Sequence, residues 1–250
     1  MAGLPSLNLR ALLVGTMNTD GIALADTPVA IGTLAQAQEK FGINSELARM
    51  FKIFFKNNFA NEVWGGPVAE PIGAQAASGT IVVTTAPSEA GTIHLYIGGQ
   101  HIPINIGGTD TKAEVAMAIS EAIMAHEDVA VDAVVGTGTP PATETVTLTA
   151  GFKGINGNDI RVEINYYNQL GGERPVTGLV LTLPATGFLT GGTGTPEFDD
   201  LITNMGENEY EYVAMPYTDS TSLAAWIEEY GFSDIGRWGW MRQQDRKRHV

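Results

Sequence analysis

Residues 92–106 read Thr-Ile-His-Leu-Tyr-Ile-Gly-Gly-Gln-His-Ile-Pro-Ile-Asn-Ile. Every second residue from Ile93 to Ile97 is aliphatic, and this period of two places the aliphatic side chains on one face of a pleated strand. A second alternating run covers 100–106. The two glycines at 98–99 tolerate the positive φ angles of a two-residue primed turn. The stretch therefore predicts a β-hairpin with one apolar face.

A capped helix and further strands follow this hairpin. Thr111-Lys112-Ala113-Glu114 is a capping box, in which the Thr111 hydroxyl accepts a backbone N–H and Glu114 reaches back to the start of the helix. The predicted apolar face of the helix consists of Val115, Ala118, Ile119, Ala122 and Ile123. Strands are predicted at 129–135, 144–150, 161–166 and 177–183. Together these elements predict a compact α+β unit that buries one face and offers the other to water.

The sequence on either side of this unit has an α/β pattern. Leu9–Gly15 is a near-continuous apolar run, which is typical of a buried strand in a parallel sheet. Other strands are predicted at 28–31, 62–68 and 210–216, and helices at 33–41, 45–57, 197–205 and 221–229. Asn44 is expected to cap the helix at 45–57. The apolar face of the last helix is expected to consist of Leu223, Ala224, Trp226 and Ile227.

Two stretches rich in glycine, alanine and proline, at 67–78 and 185–196, mark domain boundaries. We expect 1–72 to hold an N-terminal arm and the first part of a core domain, and 191–250 to hold its resumption. Residues 73–190 are expected to form an inserted, surface-exposed α+β domain. The predicted fold class is α/β (α+β overall), with a split α/β core domain interrupted by a β-rich insertion. Few strands are supplied for an open sheet, so the chain is expected to be a fragment of a longer protein.

Composition excludes several classes of function. The chain has 250 residues, a formal net charge of −14 and no cysteine, so disulfide and thiolate chemistry are excluded. An acidic surface repels phosphate backbones, and we expect no nucleic-acid partner. No apolar stretch approaches the ~20 residues that span a bilayer, and no secretory signal is recognisable, so we expect no membrane insertion.

Reactive side chains are few and scattered. The histidines are His94, His101, His126 and His249. Asp219-Ser220 stands at a predicted strand-to-helix turn, a typical position for a nucleophile, but no Gly-x-Ser-x-Gly motif is present, and helix capping is the expected role. His94 and His101 have no acidic residue in either hairpin strand, whereas zinc needs three or four ligands. We therefore predict no catalytic, cofactor-binding or metal-binding residues, no cofactor, and no enzyme activity.

Other features have ordinary structural explanations. The adjacent acids Asp199-Asp200 and Glu228-Glu229 are expected on solvated helix faces. The Gly191–Pro196 loop lacks the lysine of a phosphate-binding loop and is expected to be a flexible hinge. Trp226, Trp238 and Trp240 are expected to be core or interface anchors.

Two other interpretations stay open at this point. One is a hydrolase-like enzyme built on the split α/β domain, with the insertion as a cap. The other is a surface-binding module in the insertion, which would use exposed aromatic residues on one face. Only Tyr96, Tyr166 and Tyr167 are candidates for such a face.

The order of several segments resembles one family. These segments are Leu12–Gly15, Phe41-Gly42, Phe51–Phe55, Tyr96–Gln100 with the helix that follows it, Lys153–Ile160 and Tyr210–Asp219. In this order they are similar to the contractile tail sheath proteins of Mu-like bacteriophages, and the resemblance covers nearly the whole chain. It implies an N-terminal fragment of a structural subunit that polymerises as hexameric rings around the tail tube. It also implies contraction that drives the tube through the host envelope.

The same resemblance implies partners and a location. The partners are other sheath subunits, the tail tube protein, the baseplate and the tail terminator. The location is the virion tail, after assembly in the host cytoplasm.

Overall fold

The chain forms two compact units in a computed structural model that describes residues 9–58, 62–126 and 128–230. Unit 1 consists of Met1–Pro71 and Thr195–Val250, and unit 2 consists of Ile72–Gly194. Among the described residues, no helix is both long enough and apolar enough to cross a membrane.

Helices and strands are mixed in both units. In chain order they are β1 (Arg10–Met17), β2 (Val29–Ala30), α1 (Leu34–Phe41), α2 (Glu46–Asn57), β3 (Glu62–Ala69), β4 (Ala76–Thr85), β5 (Gly91–Ile97), β6 (Gln100–Ile106), α3 (Lys112–Ala125), β7 (Val131–Val135), β8 (Thr145–Lys153), β9 (Val162–Ile164), β10 (Val180–Thr182), α4 (Asp199–Met205), β11 (Tyr212–Ala214) and α5 (Ser220–Tyr230). Short 3-10 helices occupy Ala142–Glu144, Ile155–Asp159 and Gln169–Gly171. This mixture confirms the predicted fold class.

Unit 1 is built on a four-stranded sheet of order β11-β1-β3-β2. β1 pairs in parallel with both β3 and β11, and β2 adds an antiparallel edge. Seven of the eight residues of β1 are buried, as the apolar run at its start predicts. Successive side chains of β1 point to opposite faces, so Leu13 enters one core cluster and Leu12 the other. The sheet of unit 1 is therefore covered on both faces.

Phenylalanines dominate one of these cores. Phe41 at the end of α1 and Phe51 on α2 are fully buried, and their ring centroids lie 5.7 Å apart. Gly65 of β3 leaves room for them, because a Cβ atom there would lie 2.5 Å from the Phe41 ring. The opposite core is formed by Leu12, Val14, Val68, Phe198, Leu201, Met205, Tyr210, Tyr217 and Trp226.

Two details of the helices in unit 1 were predicted wrongly. The residue that caps α2 is Ser45, whose hydroxyl accepts from the Ala48 N–H at 3.1 Å, and not Asn44. On α5 the buried residues are Ser222 and Trp226. The other three residues of its predicted apolar face, Leu223, Ala224 and Ile227, are exposed. Trp226 therefore holds this helix on its core, and the partly buried Ala225 and Tyr230 pack beside it.

Unit 2 contains two antiparallel sheets, of orders β10-β4-β8-β7 and β6-β5-β9. The predicted hairpin is confirmed as β5 and β6, with φ angles of 56° at Gly98 and 81° at Gly99. The predicted capping box at Thr111 and Glu114 is also present, at the start of α3. The sheets and α3 share one apolar core, in which Ile81, Leu95, Ile119 and Leu148 are almost completely buried.

Unit 2 begins and ends inside the two stretches that are rich in glycine, alanine and proline. β4 begins at Ala76, within the first of them, and Ala77 is fully buried there. The far end extends to Gly194, because Thr190 pairs with Ser78 and Thr193 pairs with Gln75. The boundaries between the units thus lie at 71/72 and 194/195. The predicted boundaries were 72/73 and 190/191.

We predict that residues 72–194 fold alone and melt in one cooperative transition, because they contain a complete core. A matched fragment that ends at residue 189 lacks the four backbone hydrogen bonds between Ser78 and Thr190 and between Gln75 and Thr193. We expect it to be less stable by about 2–6 kcal/mol, since each of the four hydrogen bonds contributes roughly 0.5–1.5 kcal/mol net. Thermal and urea melts of both fragments measure this. A broad, non-cooperative melt of 72–194, or equal stability of the two fragments, would contradict the prediction.

Candidate functional site

Polar and aromatic side chains gather on the face of the β5–β6 hairpin that points away from the core of unit 2. Ile93, Leu95 and Ile97 of β5 fill the core, so the alternate residues His94 and Tyr96 lie on the opposite face. Tyr96 is the register partner of His101 on β6, and their ring centroids lie 4.8 Å apart. Pleating and register alone therefore bring three of the residues in this cluster together.

A fourth residue, Glu173, reaches the cluster from a distant segment. The chain after β9 turns through Asn165, Asn168 and Gly172, with φ angles of 52°, 54° and 88°. Asparagine and glycine tolerate this left-handed region better than other residues. The Asn165 N–H donates to the His94 carbonyl at 2.8 Å, and the Glu173 N–H donates to the Asn168 carbonyl at 2.9 Å. These turns fold the segment back and bury Glu173, which is only 4% exposed.

Glu173 is held by two donors and faces the histidines. The Tyr96 hydroxyl donates to Glu173 Oε1 in a short hydrogen bond, and the Tyr167 N–H donates to Oε2 at 2.9 Å. His94 Nδ1 lies 4.0 Å from Glu173 Oε1 and 3.0 Å from His101 Nε2. One donor atom from each of His94, His101 and Glu173 therefore falls within 4.8 Å of the other two. Among the described residues, this is the set that could hold a metal ion.

The protonation of the pair Tyr96 and Glu173 follows from this geometry. Burial, together with the hydrogen bond to Glu173 and its charge, raises the pKa of Tyr96 to about 12. Burial by itself would raise the pKa of Glu173, but the hydrogen bonds from Tyr96 and Tyr167 and the two imidazoles hold that pKa below its usual range. At neutral pH, Tyr96 is thus a neutral donor and Glu173 an anionic acceptor.

The aromatic residues of this cluster do not form a flat binding platform. Tyr96, predicted as an exposed candidate, is only 7% exposed, whereas Tyr166 and Tyr167 are 51% and 60% exposed. The rings of Tyr166 and Tyr167 meet edge to face at 85°, and Tyr166 is tilted by 51° from Tyr96. The prediction that Tyr96 is exposed was wrong, because Glu173, Tyr166 and Tyr167 cover its ring.

Glu173 was not predicted as a member of the cluster. The two hairpin strands contain no acidic residue, and Glu173 lies 72 residues from His101 along the chain. A local pattern hints at the fold-back, because Asn165, Asn168 and Gly172 are residue types that accept positive φ. Which side chain such a turn delivers, and where, depends on tertiary packing.

Asp219 and Ser220 have the predicted structural role. Asp219 Oδ1 accepts from the backbone N–H groups of Thr221 and Ser222, and Oδ2 accepts from the Ser222 hydroxyl at 2.6 Å. Burial works to raise the pKa of Asp219, but these hydrogen bonds lower it overall. The described part of unit 1 contains no histidine that could act as a base. The Asp219 carboxylate therefore caps the start of α5, where it accepts hydrogen bonds from backbone N–H groups of the first turn.

A buried polar network in unit 1 was also missed. Glu46, at the start of α2, is 7% exposed, and its Oε2 atom accepts a short hydrogen bond from the Tyr217 hydroxyl. Thr16, at 1% exposed, donates its backbone N–H to the Tyr217 oxygen at 3.0 Å and its hydroxyl to Glu46 Oε2 at 3.2 Å. Burial and the nearby carboxylate raise the pKa of Tyr217 well above its usual range. The network joins β1, α2 and the segment after β11.

The remaining candidates of the sequence analysis are dispersed. Asp199 and Asp200 are exposed, as predicted. His126 forms the C-cap of α3. The segment predicted as a flexible hinge is hydrogen-bonded within unit 2, where Asn158 contacts both the N–H and the carbonyl of Gly192 at 2.8 and 2.9 Å. His249, Trp238 and Trp240 lie outside the described residues.

Comparison with known proteins gives one strong match. The "Mu-like prophage FluMu tail sheath protein" of Haemophilus influenzae is 32% identical over 245 residues, which is 98% of this chain. The chain is homologous to a phage tail sheath protein. This match confirms the resemblance seen in the sequence, and it agrees with the prediction that the chain is not an enzyme. The chain spans about half (47%) of the length of that relative.

The other comparisons add little. No family model matches the chain. The sheath tail protein Lin1278 from Listeria innocua is 14% identical, with a TM-score of 0.29, over 89% of this chain and 44% of that one. FliD (HAP2) from Pseudomonas aeruginosa PAO1 is 18% identical, with a TM-score of 0.26, over 48% of each chain. TM-scores this low establish no common fold.

We predict that Tyr217→Phe destabilises unit 1 by about 1–3 kcal/mol, because it removes a buried donor to Glu46 and the acceptor of the Thr16 N–H. The raised pKa of Tyr217 keeps this contribution fully present below about pH 10, and it is lost only as pH rises through the folded-state pKa. Urea unfolding followed by tryptophan fluorescence reports on unit 1, since Trp64 and Trp226 pack in its core and residues 72–194 contain no tryptophan. The matched control is Tyr212→Phe at a position that is 57% exposed, with an expected effect within about 0.5 kcal/mol. Equal effects of the two variants would contradict the assignment.

Proposed function

We propose that this chain is part of a structural subunit of a contractile phage tail sheath. The observation that carries the proposal is the 32% identity to a Mu-like prophage tail sheath protein over 98% of the chain. Similarity over nearly the full chain supports a shared role better than a local match would, because it covers both units rather than one module.

We further propose the assembly that the sheath role implies. Subunits polymerise as hexameric rings around the tail tube, and contraction drives the tube through the host envelope. The partners are other sheath subunits, the tail tube protein, the baseplate and the tail terminator, and neither nucleic acid nor membrane insertion is involved. The protein is assembled in the host cytoplasm and ends in the virion tail.

The sheet of unit 1 has features that suit assembly. Its described edge strands, β2 and β11, are only two and three residues long. Short edges protect an isolated sheet from uncontrolled pairing and leave backbone groups that a segment of a neighbouring subunit can pair with. Exposed aliphatic side chains, such as Ile22 and Leu24 at 68% and 75%, add apolar surface for contact between subunits.

Unit 2 fits the part of an inserted, surface-exposed domain in this proposal. It has its own core and needs no residue of unit 1 to complete that core. The hydrolase-like interpretation is weakened, because Asp219 is committed to the start of α5 and the described part of unit 1 offers Ser220 no histidine as a base. A structural role needs no further chemistry from these residues.

The sheath proposal predicts regular antibody labelling along phage tails. An epitope tag placed at Gly138, in an exposed loop of unit 2 where an added side chain would meet no atom within 4 Å, should leave the core intact. Immuno-electron microscopy of particles from a strain that carries the tagged gene should show label along the whole tail, and untagged particles serve as the control. Full-length protein expressed alone should form tubes in the same microscope. Label confined to the capsid or the tail tip would contradict the proposal.

A further inference from the structure

We propose that His94, His101 and Glu173 bind a divalent transition-metal cation of the zinc class. The ligand atoms are one ring nitrogen of each histidine and one carboxylate oxygen of Glu173, which lie within 4.8 Å of one another. The site is on unit 2 and is independent of the proposed sheath role.

The distances are close to what a zinc ion requires. Nitrogen and oxygen ligands bind zinc at about 2.0–2.2 Å, so two ligands of a tetrahedral ion lie about 3.3–3.5 Å apart. His94 Nδ1 and His101 Nε2 are 3.0 Å apart, and His94 Nδ1 is 4.0 Å from Glu173 Oε1. Binding needs the two imidazoles to separate by a few tenths of an ångström, and the carboxylate, in a set whose donor atoms are spread over up to 4.8 Å, to approach by up to about 1.5 Å. Small side-chain rotations supply both movements.

The chemistry of the donors selects the kind of cation. Two imidazoles and one carboxylate suit zinc, nickel and copper, whereas calcium and magnesium prefer oxygen ligands alone. Without a cation, the imidazole pair shares a proton, because one nitrogen donates and the other accepts. A cation replaces that proton and uses a lone pair of each ring, and the proton leaves to solvent or moves to the far nitrogen of its ring.

The surrounding residues already orient the carboxylate. The Tyr167 N–H holds Oε2, and the Tyr96 hydroxyl donates to Oε1, which has a second lone pair for a metal. Hydrogen bonds of this type fix metal ligands in place before the metal arrives. Glu163, the register partner of Tyr96, pairs with Arg161 at 2.9 Å and is not a member of the donor set.

Access and ligand number define the type of site. His101 is exposed and the His94 side chain is 23% exposed, so a cation enters directly from solvent. Three protein ligands leave a fourth position for water. The ligands come from β5, β6 and the segment after β9, so a bound ion cross-links the hairpin to the fold-back segment.

The test is a Zn²⁺ titration of the full chain against a chelating dye, with bound zinc counted after gel filtration. We expect one tight site per chain. His101→Gln should weaken binding about 100-fold or more, because loss of a ligand costs at least as much as loss of a group that orients one. His101 is exposed, so this variant should fold normally, and its melting temperature without metal checks that. His126→Asn, on α3, is the matched control and should bind zinc as the wild type does.

Two further measurements separate a metal site from a merely structural cluster. Co²⁺ bound to the wild type should give a visible d–d absorption that is absent in His94→Gln and in Glu173→Gln. Zn²⁺ should raise the melting temperature of the wild type and leave that of His101→Gln unchanged. Zinc binding that is equally tight in the wild type and in His101→Gln, or an equal loss in His126→Asn, would overturn the proposal.

Discussion

Backbone pairing between the two ends of unit 2 makes the interrupted architecture of this chain possible. Gln75 exchanges hydrogen bonds of 3.1 Å with Thr193, and Ser78 exchanges bonds of 2.8 and 2.9 Å with Thr190. The chain therefore enters and leaves unit 2 at neighbouring points. For the sheet of unit 1, the whole insertion then acts as a short connection, although β1 and β11 are about two hundred residues apart along the sequence. The core of the insertion offsets the entropy that is lost when the insertion folds. The insertion therefore adds little to the loop-closure entropy that opposes pairing of β1 with β11.

Each unit also depends on one buried carboxylate that a tyrosine hydroxyl satisfies. Glu46 accepts from Tyr217 in unit 1, and Glu173 accepts from Tyr96 in unit 2. In both, a backbone N–H completes the network, and the tyrosine that donates its hydroxyl is far from the carboxylate in sequence. Burying a carboxylate without hydrogen-bond donors is strongly unfavourable. Each network therefore favours the one arrangement of its segments in which the donors reach the carboxylate. Apolar packing brings these segments together, and the carboxylates fix their register.

The sequence predicted the features that depend on near neighbours. The hairpin at 92–106, the capping box at Thr111 and the buried run of β1 each rest on residues within a few positions of one another. Predictions failed where a distant segment decides the outcome. Nothing near Tyr96 shows that Glu173 covers it, and nothing in α5 shows that Trp226 is buried while Ile227 is exposed. Ala77 is in the core because β8 and Leu189 pack around it, and its own alanine- and glycine-rich surroundings resemble a linker.

The acidic character of the chain restricts how copies of it associate. Copies of this chain, each with a formal charge of −14, repel one another, and the repulsion is strongest at low ionic strength, where the Debye length is long. Association therefore has to come from directional contacts, such as the pairing of short strand edges, and from apolar contact. Salt screens the repulsion and leaves both of those contacts in place. A chain with this charge thus stays apart from its copies until strand edges are aligned, which favours ordered association over random aggregation.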